Sequence, residues 1–127
     1  MTGNRYRLGR LQLRIMKVLW ERGQSRVADV QAALADEGEL AYTTVATMLR
    51  KMEERGLVRH ESEGRSFLYR AAAAEGDVTR SLADDLIDRV FEGSLADMLS
   101  HLLTTREVSP GELKRLEQLI AERRKQS

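Results

Sequence analysis

"AYTTVATMLRKMEERGLV", Ala41 to Val58, decides how this chain folds. Val45, Met48, Leu49 and Met52 recur at helical spacing, and Gly56 follows as a stop signal. The first two turns nevertheless carry Thr43, Thr44 and Thr47. Threonine loses side-chain freedom in a helix, and three together cost roughly 2 kcal/mol against alanine. Ala41 is also a poor N-cap, so the helix starts weakly. With the apolar stripe against a core, the rotation of about 100° per residue fixes the opposite face. That face holds Thr43, Thr47, Arg50 and Glu54, with Thr44 and Lys51 beside it.

Two helices precede this one. In "LGRLQLRIMKVLWERG" the apolar positions Leu11, Ile15, Val18 and Leu19 form one stripe beside Trp20, and Gly23 closes the helix. Ser25 is placed to cap the next helix, whose inward residues are Val27, Val30 and Leu34 and which ends near Gly38. After Gly56 the period changes. "LVRHESEGRSFLYR" contains two short runs, Leu57 to His60 and Ser66 to Arg70, around a Glu63-Gly64 turn. Phe67 and Tyr69 share one face and Leu68 the other. An isolated hairpin is marginal in water, so this one must pack on the helices before it. Three helices followed by a two-stranded β-wing is the winged helix-turn-helix layout, and the fold class is mainly α.

"AAAAEGD", Ala71 to Asp77, marks the expected boundary between a head, residues 1–72, and a helical tail, residues 73–127. In the tail Val78, Leu82, Leu86 and Val90 or Phe91 form one stripe, closed by Gly93. Leu95, Met98, Leu99 and Leu102 form a second. In "SPGELKRLEQLI" Ser109 is an N-cap, Pro110 takes the first helical position and Glu112 completes a capping box. Its stripe is Leu113, Leu116, Leu119 and Ile120. Three short helices cannot bury that many leucines in one another. Homodimerisation through Leu82, Leu86, Val90, Leu95, Leu99, Leu102, Leu116 and Ile120 absorbs the excess. Folding back onto the head is the alternative.

Composition narrows the function. The 127 residues fit a small domain with an appended module. The absence of cysteine excludes disulfides, thiolate metal sites and cysteine nucleophiles. No apolar run approaches the ~20 residues of a membrane span, so a cytoplasmic protein is expected. The net charge of +1 conceals an asymmetry: residues 1–70 carry net +4 and residues 71–127 net −3. Such a division suits a polyanion-binding head and a partner-binding tail.

Little here suits catalysis. His60 and His101 lie far apart and fit no metal-ligand spacing, and the glycines fall at helix ends and turns. Asp84, Asp85 and Asp88 read as a solvated helix face. The expectation is no enzyme and no cofactor. The third helix offers more. Short hydroxyls near its N-terminus admit close approach to DNA, and Arg50 and Lys51 reach bases or phosphates a turn further on. Arg65 sits at the hairpin tip, and Arg5, Arg7 and Arg10 precede the first helix, all placed to hold phosphates. Glu54, Glu61 and Glu63 oppose tight phosphate contact near the wing. The competing class is a winged-helix protein-interaction adaptor that never touches DNA. It would need an apolar or acidic outward face on the third helix, where this one is polar to basic.

The stretches Leu8 to Trp20, Ala41 to Val58 and "GRSFLYRA", Gly64 to Ala71, resemble the penicillinase-repressor family of winged-helix regulators (the BlaI/MecI/CopY type). "SPGELKRLEQLI" is similar to that family's last helix. The resemblance implies a cytoplasmic homodimeric repressor that binds inverted-repeat operator DNA and dimerises through its C-terminal helices. It places the DNA-contacting helix residues at Thr43, Thr44, Thr47 and Lys51, with Arg50 an addition. Gln12 stands where the family often has glutamate. Copper-sensing relatives carry a cysteine-rich motif that this chain lacks. In β-lactam-responsive relatives a membrane sensor metalloprotease, or the protease it activates, cuts at an Asn-Phe bond; the matching position here is His101-Leu102.

Overall fold

The computed structural model describes residues 6–127. Six helices and one hairpin follow in the order α1 (Arg10–Arg22), α2 (Val27–Ala33), α3 (Tyr42–Glu54), β1 (Val58–Glu63), β2 (Ser66–Ala71), α4 (Glu75–Val90), α5 (Leu95–Thr105) and α6 (Pro110–Lys125). A single 3-10 turn, Ala35–Glu37, joins α2 to the segment before α3. The chain divides into two compact units, residues 1–85 and 86–127. The division falls within α4, later than the boundary expected after residue 72. Val78, fully buried, and Leu82, partly buried, carry the first turns of α4 into the core of the first unit.

That core is built from the expected stripes. Ile15, Val18 and Leu19 of α1 meet Val27 and Val30 of α2 and Val45, Leu49 and Met52 of α3, all buried. Met16 is also fully buried, because α1 is covered on a wider arc than its i, i+4 stripe implies. Met48 is only half-buried and packs at the core's edge. Gly23 takes φ +79° and returns its N–H to the Leu19 carbonyl at 2.9 Å, which ends α1.

Ser25 does something other than cap α2. Its backbone forms an isolated antiparallel bridge with Tyr69, and its hydroxyl donates to the Gly23 carbonyl at 3.0 Å. The N-cap is Arg26, whose N–H donates to Asp29 Oδ2 at 3.0 Å. Ser25 thus lies one residue before the cap position, held there by its pairing with Tyr69. The hairpin is antiparallel and pairs Val58 with Ala71, His60 with Tyr69 and Glu63 with Ser66. Its turn is Gly64-Arg65, one residue beyond the expected Glu63-Gly64, because β1 runs on to Glu63. Tyr69 is buried and Phe67, on the same face but nearer the tip, is 47 % exposed. The Leu57 carbonyl accepts the Ala72 N–H at 2.9 Å, and Trp20 Nε1 donates to the Ala73 carbonyl at 2.9 Å. These bonds fasten the end of the hairpin to the head.

In the second unit, Glu92 and Gly93 both take positive φ after α4. Ser94 then caps α5 by accepting the Asp97 N–H at 3.0 Å. Ser109 caps α6 by accepting the Glu112 N–H at 3.1 Å, with Pro110 in the first turn as its fixed φ favours. Leu99, Leu102 and Leu116 are half-buried and, with Leu103 and Val108, line a cavity of about 170 Å³. Among the described residues of this unit none is fully buried. Leu86, Val90, Leu95 and Ile120 are exposed, as are Leu103, Leu113 and Leu119. Leu82 packs instead on the head core, so the exposed apolar set begins at Leu86. No described helix is long and apolar enough to cross a membrane.

Candidate nucleic-acid interface

The burial of Val45, Leu49 and Met52 turns the other side of α3 outward. Thr43, Thr44, Arg50 and Lys51 are exposed and Thr47 is half-buried. Thr43, Thr44, Thr47, Met48 and Lys51 line a shallow groove of about 460 Å³, closed on its other side by Gln12 of α1. None of these lining residues is acidic. The groove therefore offers hydroxyls, an amide and one ammonium around the apolar side of Met48. Such a set donates hydrogen bonds and attracts anions. Arg50 lies outside this lining.

The entry to α3 is bare. Ala41 holds extended backbone, with φ −67° and ψ 147°, and no side chain caps the helix. The Ala41 carbonyl accepts the Thr44 and Val45 N–H groups at 3.1 and 3.2 Å. Gln31 Nε2 donates to the Leu40 carbonyl at 2.8 Å, so α2 holds the chain where it turns into α3. Tyr42 opens the helix and is 54 % exposed, an aromatic surface not anticipated from the stripe pattern.

The arginines expected to hold phosphates stand in different surroundings from Arg14 and Arg26, which are paired with carboxylates. Arg65 stands exposed in the wing turn. Arg7 is exposed, and its carbonyl accepts from Arg55. Arg10 is the first residue of α1 rather than ahead of it, because the helix begins directly after Gly9, and it lies 3.4 Å from Glu37 with its side chain largely exposed. Arg5 lies outside the described residues. Arg14 is held by two carboxylates, with Nε 3.0 Å from Glu37 and Nη2 2.7 Å from Asp36. Its hydrogen bonds to Glu37 and then Asp36 push its pKa further above the usual guanidinium value. That pairing ties α1 to the 3-10 turn between α2 and α3. Arg26 reaches across to Glu63 at 2.8 Å, which neutralises one of the wing acids.

On the wing's inner face, His60 Nδ1 lies 2.6 Å from Glu53 Oε1, so α3 and β1 are joined directly. The His60 ring packs on Phe67, with centroids 4.2 Å apart, and on Tyr69 at 5.4 Å. Burial pushes the Tyr69 phenol pKa above its usual value, and the nearby Glu53 charge adds to the effect.

Gln12 is the groove residue that helical periodicity did not single out. The one signal for it is its place three residues after Gly9, where it returns its side chain to the Gly9 N–H at 3.1 Å.

Comparison with known proteins supports the arrangement. A family model described as "Penicillinase repressor" matches residues 8–122. The "Penicillinase repressor" of Bacillus licheniformis is 27 % identical over 111 residues, covering 87 % of this chain and 87 % of that protein. The "Transcriptional regulator BlaI" of Mycobacterium tuberculosis is 30 % identical over 118 residues, covering 91 % and 84 %. Among solved structures, the DNA-binding domain of the repressor BlaI matches with a TM-score of 0.51 at 27 % identity. That match covers 61 % of this chain and 93 % of the domain.

Proposed function

We propose, from the premise that this chain belongs to the penicillinase repressor family, that it is a sequence-specific DNA-binding transcriptional repressor. The observation that carries this reading is the groove along α3, donor-rich and free of carboxylates among its lining residues. The first unit, which extends to residue 85, binds the duplex, with Thr43, Thr44, Thr47 and Lys51 entering the major groove and Arg50 at its edge. Arg65, Arg5 and Arg7, together with Arg10 at the start of α1, hold phosphates. The second unit, residues 86–127, dimerises through its exposed apolar residues, so that two α3 helices meet successive half-sites of an inverted repeat. Repression follows from occlusion of a promoter, in the cytoplasm and without catalysis.

A sensor-linked protease is the partner proposed for release. The His101-Leu102 bond lies inside α5, with His101 exposed and Leu102 half-buried. A protease takes its substrate extended, so cleavage there needs α5 to unwind locally.

The test is a fluorescence anisotropy titration against the chain's own upstream DNA and against random duplex. Preference for the upstream DNA, with affinity falling steeply as salt rises, is the expected result. Equal binding to both, or insensitivity to salt, would sink the proposal.

A further inference from the structure

Among the described residues, Gln12 is the one groove-lining residue that does not come from α3. Its Oε1 accepts two hydrogen bonds, from the Gly9 N–H at 3.1 Å and from Arg55 Nη1 at 3.4 Å. Two donors converging on one atom fix which end of the amide is oxygen. Both hydrogens of Nε2 are left without a partner among the described residues. A held, half-exposed donor therefore sits beside three threonine hydroxyls and Lys51, with no carboxylate among the described lining residues.

We infer that Gln12 is a DNA-contacting residue supplied by α1, donating from Nε2 to an acceptor on the duplex that α3 engages. This rests on reading the chain as a DNA-binding repressor. The acceptor is a phosphodiester oxygen or the acceptor edge of a base, which present the same chemistry to an amide hydrogen. Glutamate, which the resembled family often has at this position, keeps an oxygen for Gly9 and Arg55 but has no hydrogen to give. The amide thus sets what this chain's groove accepts apart from what a carboxylate would.

The experiment uses the full chain and a fluorescein-labelled duplex selected by that chain from a random-sequence library. Lys51→Ala serves as the control for α3. Gln12→Met removes the donor without adding charge, and Gln12→Glu removes it while preserving the Oε1 bonds. Denaturant unfolding confirms that both variants are folded. Both should bind more weakly, by about tenfold or more if the acceptor is a charged phosphate and by about three- to tenfold if it is a neutral base edge. With Gln12→Met, equal weakening across single-base-pair variants of the duplex identifies a phosphate. Relaxed preference at one base pair identifies a base edge.

If folded Gln12→Met binds within about twofold of the parent while Lys51→Ala is weakened, the inference is overturned. A loss confined to Gln12→Glu would be long-range repulsion and would overturn it equally. Should Lys51→Ala also leave affinity unchanged, the α3 groove assignment falls first and takes Gln12 with it. If the parent chain selects no sequence at all, the repressor reading itself has failed.

Discussion

Ser25 and Tyr69 exchange a pair of backbone hydrogen bonds, 2.9 Å from the Ser25 N–H to the Tyr69 carbonyl and 2.8 Å in return. This isolated bridge joins the chain before α2 to the wing after α3. The wing is thereby set against the head from both sides, by Ser25 at one edge and by the Glu53–His60 contact on its inner face. Ser25→Pro removes the N–H donor and should destabilise the chain by about 3 kcal/mol, visible as a lower denaturant midpoint. Ser25→Ala loses only the bond to the Gly23 carbonyl and should cost about 1 kcal/mol. A serine that capped α2 would show the same alanine cost but tolerate proline far better.

Leu49 and Lys51 separate packing from recognition within two residues of one helix. Leu49 is fully buried, and Leu49→Ala should cost about 2–5 kcal/mol in denaturant unfolding by opening a cavity. Thr47→Ala and Lys51→Ala should stay within about 1 kcal/mol of the parent in stability while weakening operator binding. Unchanged affinity in both would remove α3 from the duplex.

Salt dependence distinguishes phosphate contacts from scaffolding. If Arg65 holds a phosphate, Arg65→Ala should reduce the slope of log affinity against log salt by about 1. Arg14 is paired internally with Glu37 and Asp36. Arg14→Ala should therefore leave that slope unchanged, whatever it does to affinity through the placement of α3. Titrations at several salt concentrations read both effects.

Tyr69 gives the chain a limit at alkaline pH. Its folded pKa is raised, chiefly by burial, so the folded state holds this proton more tightly than the unfolded state. The linkage contribution is intact below the unfolded value of about 10 and is lost as pH rises from there through the folded value. Tyr69→Phe cannot ionise, and its stability should decline less steeply above that pH. Denaturant midpoints measured across the range would show the two curves separating.

The tail can be tested without DNA. Leu86, Val90, Leu95 and Ile120 are exposed, and no described residue of the second unit is fully buried. Leu95→Asp or Ile120→Asp should shift the chain toward monomer in sedimentation, since an unpaired charge in an apolar interface is strongly disfavoured. Monomer mass in the parent chain at the same concentration would refute the dimer.

Much of the fold was legible because periodicity survives packing: Val27, Val30 and Leu34, and Val45, Leu49 and Met52, all fall inside where their spacing puts them. Capping was less legible. Ser25 is a good capping residue by type, but a long-range pairing with Tyr69 claimed the segment, and no local rule sees a partner 44 positions away. Leu82 continued the tail's stripe in sequence yet packs on the head, because a helix can serve two cores in succession. At the interface, the α3 residues followed from helix geometry. Gln12 did not, since its place in the groove depends on how α1 lies beside α3.

Ala41 leaves the first turn of α3 without a side-chain cap. Aspartate there would accept the open amides, settle on the positive end of the helix dipole and raise stability by about 1 kcal/mol. It would also set a fixed negative charge two residues before Thr43, against an incoming polyanion. Position 41 therefore opposes shelf life to affinity: an engineer screening this chain for heat tolerance would be drawn to a substitution that blunts its grip on the genome.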